Sequence, residues 1–162
     1  MAKTMELTEN QKAYLQIQTV TSVFDRARNL ELAKIGLNIP QAQVLNCLKI
    51  SKEPMTPMKL SRMMHKQPHT VSALIHRMEV QGLVSTKKDM ERKNWVRVSL
   101  TKKGDEAYRR WSTSTKVPDA LSVLSKEEKE ALRTITKRLH REGLGLLREM
   151  QRSPYDVQLF WE

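Results

Sequence analysis

Apolar residues recur along this chain at helical spacing, interrupted once by a short stretch of strand-like alternation. In LTENQKAYLQIQTVTSVFDRARNLELAKIG, Leu15, Val20, Val23, Phe24, Ala27 and Leu30 fall at helical intervals, and Thr8 with Gln11 forms a capping box. The pattern predicts a long helix from Thr8 to Lys34, stopped by Gly36. Asn38 with Gln41 is a second capping box, Pro40 suits a first helical turn, and a helix from about Ile39 to Ile50 turns Val44, Leu45 and Leu48 inward. Thr56 before Pro57 starts a short third helix to about His65, with Leu60, Met63 and Met64 apolar. Pro68 opens a fourth, which Gly82 ends. From Leu83 the period changes to that of strands, about 84 to 88 and 95 to 100, around the charged tip DMERKN. Thr101 and Gly104 open a further helix to about Thr115, with Pro118 interrupting it or marking the next loop. Ser125 with Glu128 caps a last long helix to Met150 that sets Leu132, Ile135, Leu139, Leu144 and Leu147 near one side.

The fourth helix has two regular faces. Val71, Leu74, Ile75 and Met78 stand at i, i+3, i+4 and i+7 and belong in a core. At about 100° per residue, His69, Ser72, Ala73 and His76 make a stripe on nearly the opposite side that lacks long charged side chains. An ordinary solvated surface carries such charges. This face is small, polar and flat.

Charge sharpens that picture. Of the formal net charge of +11, residues 35 to 104 hold 13 basic and 4 acidic side chains, a net of +9, while residues 1 to 34 and 105 to 162 are each +1. Cations concentrated in the middle of a chain are what a polyanion-binding surface requires. Hydrophobic content of 39% over 162 residues is low for a self-sufficient globule, so a second copy of the chain is expected to complete the core. The single cysteine, Cys47, excludes an intramolecular disulfide framework. No apolar run reaches a membrane span, and MAKTMELTENQK lacks a secretion signal, so a cytoplasmic protein without membrane partners is expected.

The order helix, short helix, helix, charged hairpin is that of a winged helix-turn-helix. The chain resembles the MarR family of transcriptional regulators through GLNIPQAQVLNCL, QPHTVSALIHRMEVQGLV and DMERKNWVRVSLTKKG, through the 15 positions from Asp89 to Gly104, and through the long flanking helices. Where the family's wing usually reads D-x-x-D-R-R, this one reads Asp89, Met90, Glu91, Arg92, Lys93, Asn94, so the second acid has become Arg92. The resemblance implies a mainly α fold of the winged-helix kind, with a DNA-binding lobe at 35–104 between an N-terminal dimerisation helix, 1–34, and C-terminal dimerisation helices, 105–162. Gln67, Pro68, His69, Thr70, Ser72, Ala73 and His76 then face base edges and nearby phosphates of double-stranded DNA. Lys59, Arg62, Lys66, Arg77, Lys87, Lys88, Arg92, Lys93 and Arg97 are the phosphate candidates. Leu15, Phe24, Leu132, Leu139, Leu147, Leu159, Phe160 and Trp161 are the dimerisation candidates. The implied protein is a homodimeric repressor on a pseudo-palindromic operator, released by a small ligand held between the lobe and the dimerisation helices. The alternatives are a protein-interaction module and a nonspecific nucleic-acid binder.

Other features read more plainly. His65, His69 and His76 do not make a metal site: Pro68 separates the first two, and the last two lie about 10 Å apart along the helix at 1.5 Å per residue. Cys47, beside Val44 and Leu48, reads as a buried thiol rather than a redox sensor. Met55, Met58, Met63 and Met64 read as adaptable core filling, and Trp95 as packed at the base of the wing. No phosphate loop, nucleophile elbow, HExxH or paired apolar-site carboxylates are present, so neither an enzyme nor a cofactor is expected.

Overall fold

Three short helices and a hairpin close around the apolar stripes marked out above. The computed structural model describes residues 6–51, 53–88, 96–113 and 116–151. Helix α1 is Glu9–Ala33, α2 Ile39–Ser51, α3 Pro57–Met63 and α4 Pro68–Val80; β1, Val84–Lys88, and β2, Val96–Leu100, form the wing. Helix α5 is Lys102–Ser112, α6 Lys116–Asp119 and α7 Lys126–Gln151, with a 3-10 turn at Ala120–Val123 between the last two. All three predicted capping boxes form. Thr8 and Gln11, Asn38 and Gln41, and Ser125 and Glu128 each exchange two backbone-to-side-chain hydrogen bonds of 2.7–3.2 Å.

The core lies entirely in the central part of the chain. Leu32 from α1, Val44, Leu45 and Leu48 from α2, Leu60 and Met63 from α3, Val71, Leu74, Ile75 and Met78 from α4, and Val84 and Val98 from the wing are all buried together. Each such side chain contributes about 1.5–3 kcal/mol of transfer free energy. The strands are antiparallel, with Val84 opposite Leu100 and Lys88 opposite Val96. Met55 adds a single residue of pairing on the other edge of β2, exchanging hydrogen bonds of 3.0 and 2.8 Å with Val98. The segment between α2 and α3 is thereby stitched to the wing.

The flanking helices behave differently. In α1 only Leu32 is buried, and none of residues 126–150 of α7 is. Leu15, Val20, Val23 and Leu30 on α1 and Leu132, Ile135, Leu139 and Leu146 on α7 are all exposed apolar side chains in the single chain. No helix among the described residues is long and apolar enough to cross a membrane.

The structure corrects several details. Met58 is 49% exposed and so is not core filling, whereas Met55, Met63 and Met64 are buried; Met58 sits on the outer side of a helix only seven residues long. Helix α3 ends at Met63 instead of His65, because a Schellman turn closes it: His65 N–H donates to Arg62 O and Lys66 N–H to Ser61 O, at 3.1 and 3.0 Å. His65 therefore takes φ 50, in the left-handed region that glycine usually fills. Helix α5 stops at Ser112, short of Thr115, and Pro118 lies inside α6 rather than breaking a helix, since a proline in a first turn forfeits no hydrogen bond. Trp95, Leu159, Phe160 and Trp161 lie outside the described residues.

Gly104 is where α5 crosses the start of the wing. A Cβ there would stand 1.9 Å from the Leu83 carbonyl oxygen. Thr101 caps the same turn, its Oγ1 accepting from Gly104 N–H at 3.0 Å and donating to Gly82 O at 2.6 Å. Gly104→Ala should therefore destabilise the fold by roughly 2–4 kcal/mol, against the ~1 kcal/mol that alanine normally gains over glycine in a helix. Urea unfolding followed by circular dichroism checks this, and an unchanged or raised midpoint refutes the close approach.

Candidate nucleic-acid interface

The orientation of α4 follows from its buried stripe. Val71 and Met78 are fully buried, and Leu74 and Ile75 nearly so, which fixes the rotation of the helix about its own axis. His69, Thr70, Ser72, Ala73, His76 and Arg77 then all lie exposed on the outer side, with Gln67 exposed and Pro68 half-buried at the N-terminus. This is the face read from the sequence. Gln67 is the N-cap residue but makes no side-chain cap bond, so the first-turn N–H groups point outward with the positive end of the helix dipole.

Cations flank this face on two sides. Lys59 and Arg62 are exposed on α3 and Lys66 is half-buried in the turn before α4. On the wing, Lys87 and Lys88 are exposed on β1, and half-buried Arg97 on β2 stands directly opposite Lys87. Arg77 folds back instead, its Nε donating to Ala73 O at 3.3 Å along the helix. Arg92 and Lys93 at the wing tip lie outside the described residues.

The C-terminal half of α4 is tied down by polar contacts that local sequence patterns did not reveal. Thr86 on β1 donates both its backbone N–H and its hydroxyl to Glu79 Oε1, at 2.8 and 2.6 Å. These bonds hold the Glu79 carboxyl below its usual range, with the Thr86 hydroxyl the larger cause. Gln41 Nε2 on α2 donates to Gln81 Oε1 at 2.7 Å, and Lys103 Nζ donates to Gln81 O at 2.7 Å. Helix α4 and the wing are thus tied into one unit. The only clue in the sequence was polar residues beside a glycine turn, which is too general to name partners.

A cavity of about 360 Å³ is lined by Gln43, Asn46, Cys47, Met63, Met64, His65 and His140. Cys47 is buried, and desolvation pushes its thiol up to about 11, so it is a protonated core thiol. His65 and His140, from the turn before α4 and from α7, meet edge to face with ring centroids 5.5 Å apart. Burial, and then His140, hold the His65 imidazolium below its ordinary pKa. His69 and His76 are both exposed on α4.

Helices α3 and α4 with the β1–β2 wing define a winged helix-turn-helix protein. Residues 35–92 match the model of the MarR family. The HTH-type transcriptional regulator YybA of Bacillus subtilis (strain 168) is 28% identical over 141 residues, covering 84% of this chain and 89% of that protein. The organohalide-sensing transcriptional regulator RdhR, in its ligand-free crystal form, superposes with a TM-score of 0.80 at 28% identity, over 88% of this chain and 85% of its own. Its 2,4-dichlorophenol-bound form gives 0.84 at 25% identity, over 96% and 91%. A cysteine-to-serine variant of MarR from E. coli, complexed with operator DNA, shares the fold at a TM-score of 0.75 and 20% identity, over 81% of this chain and 95% of its own. The central segment thus resembles the MarR family, and the fold of the whole chain is similar to that of MarR-family transcriptional regulators.

The Glu79 tether generates a test of that unit. Glu79→Ala should raise the hydrogen-exchange rate of the Thr86 amide at least tenfold while leaving the Val98 amide, bonded to Met55, little changed. Because the folded-state pKa of Glu79 is depressed, its contribution is present above the ordinary carboxylate value of 4.5 and is lost as pH falls through the lower one. Wild-type Thr86 should therefore lose its excess protection, relative to Val98, only below pH 4.5. Equal exchange in wild type and variant at neutral pH would remove the tether from the account.

Proposed function

We propose that this chain is a homodimeric repressor that reads double-stranded DNA with the exposed face of α4, and that its site is pseudo-palindromic. The observation that carries this reading is the pairing of an uncharged, small-residue helix face with exposed cations on either side. Lys59, Arg62, Lys66, Lys87 and Lys88, with Arg97 and the wing-tip Arg92 and Lys93, supply phosphate contacts and therefore affinity. Gln67, His69, Thr70, Ser72 and His76 supply donors and acceptors for base edges, and Ala73 lets the helix approach the groove floor.

Dimerisation rests on α1 and α7. Helix α7 is about 39 Å long at 1.5 Å per residue, yet none of residues 126–150 is fully buried within the chain, and an isolated amphipathic helix is marginal in water. Leu15 and Phe24 on α1 with Leu132, Leu139 and Leu147 on α7 are the side chains for a two-fold helical interface. Residues 1–34 and 105–162 then form the dimerisation region around the lobe at 35–104. Two-fold symmetry sets the half-sites about 34 Å apart, one helical turn. Such a regulator works in the cytoplasm. The cavity at Cys47 and His65 lies between the lobe and α7, where an organic effector would change the spacing of the two reading helices; the chlorophenol-bound form of RdhR supports an effector of that kind.

Mobility shifts on the DNA upstream of the chain's own reading frame, with scrambled competitor at two salt concentrations, test the reading. His69→Ala and Ser72→Ala should each reduce discrimination by roughly 1–3 kcal/mol, whereas Lys88→Ala should weaken cognate and scrambled DNA alike. Equal effects of all three on both DNAs would move the reading face elsewhere. Preference lost with rising salt would mean a nonspecific binder, and no retardation a protein-interaction module. Leu139→Glu should convert the dimer to a monomer by light scattering coupled to size exclusion; a wild-type chain that is monomeric at micromolar concentration defeats the dimer outright.

A further inference from the structure

The sequence set His65 beside His69 and His76 and found no shared coordination, but the fold gives His65 a different neighbour, 75 residues away. His65 Nε2 and His140 Nε2 stand 3.5 Å apart. That is long for a nitrogen–nitrogen hydrogen bond, whose optimum lies near ~3.0 Å. It is close to another spacing. Two imidazole nitrogens bound to one zinc ion at 2.0–2.1 Å in tetrahedral geometry are separated by ~3.4 Å, whereas neighbouring ligands of a square-planar copper(II) ion are only ~2.9 Å apart.

We propose that His65 and His140 form a two-histidine zinc(II) site that clamps the turn before α4 to helix α7. Three observations converge on it. The two reactive nitrogens, and not merely the rings, face each other. His65 is held at φ 50 in a Schellman turn, a left-handed position where histidine is enriched several-fold over most residues, so the turn fixes where its ring stands. The pair also stands on the lining of the cavity of about 360 Å³, which leaves room for the remaining ligands, water or an entering donor.

The same surroundings limit the site. Among the described residues no group of three histidine, cysteine or carboxylate side chains gathers around one point, so neither Cys47 nor a described carboxylate is a third ligand. Two neutral ligands make a site that loads and empties, suited to sensing rather than to permanent structure. Its location gives that loading a consequence: α7 belongs to the proposed dimerisation region and His65 lies two residues before the N-cap of α4. Zinc would fix the reading helix relative to the dimer axis without touching DNA.

The test uses the untagged full-length chain and zinc(II) alone, competed against a chromophoric chelator and read without DNA, so its outcome is independent of the DNA-binding reading. One zinc per chain should bind to wild type. His65→Asn, which tolerates the left-handed backbone, and His140→Gln should each lower the affinity at least tenfold while retaining the wild-type circular dichroism spectrum and thermal midpoint in the presence of EDTA. Zinc should raise the thermal midpoint of wild type and not of either variant. Absence of zinc binding by wild type, or an affinity within threefold of wild type in either folded variant, overturns the site. A variant that fails to fold is replaced by His65→Gly or His140→Ala, judged by the same threshold.

Discussion

The rotation of α4 about its own axis is the constraint on which the interface depends. Four side chains, Val71, Leu74, Ile75 and Met78, lock it. Slipping the helix by one residue turns every side chain by about 100°, which would drive His69 or Ser72 toward the core and bring Leu74 or Met78 to the surface. Such a slip forfeits several kcal/mol of burial and leaves polar groups without water. A helix that is strongly held on one side needs no charge on the other to keep it in place. That is why its outer face can consist of Ser72, Ala73 and two imidazoles, and why positive charge is left to α3 and the wing.

The apolar residues divide between two tasks. Those of α2, α3, α4 and the wing close a core within the chain, and α1 adds Leu32 to it. Those along most of α1 and α7 are left outside, although their spacing is just as regular. Periodicity records that a face will be covered, and says nothing of whether the cover comes from the same chain. The near-zero net charge of these flanks, set beside +9 in the lobe, makes a second copy a tolerable neighbour there and an anion the natural one in the middle.

Helices, caps and strands were legible because their causes are local. A capping box spans four residues and a core stripe eight, so Asn38 with Gln41, or Val71 through Met78, can be read without knowing the fold. Met58 was misread because a helix of seven residues is too short for its apolar positions to define one side. The end of α3 was set two residues late because the Schellman turn uses a histidine where glycine is the usual signal. Glu79 with Thr86, Gln41 with Gln81, and His65 with His140 depend on pairings that exist only after the chain has folded, up to 75 residues apart. The exposed face of α4 was legible and its anchorage was not. The wing tip, Trp95 and the apolar tail fall outside the described residues.

This separation of tasks bears on how affinity and selectivity respond to conditions. Phosphate contacts made by lysine and arginine release counterions, so each weakens as salt rises. Contacts from neutral donors and acceptors on α4 release none. On the proposed reading, the lobe joins a salt-sensitive grip to a salt-insensitive reader, and their ratio is set by how well α4 is seated. The Glu79–Thr86 bonds seat it against the wing and the Gln41–Gln81 bond against α2, both at its C-terminal end. Its N-terminal end, which carries Gln67, His69 and Thr70, is reached through the turn at His65. On that reading, any molecule or ion that grips this turn from the side of α7 would act on the reader first and on the grip hardly at all, and so would change selectivity before affinity.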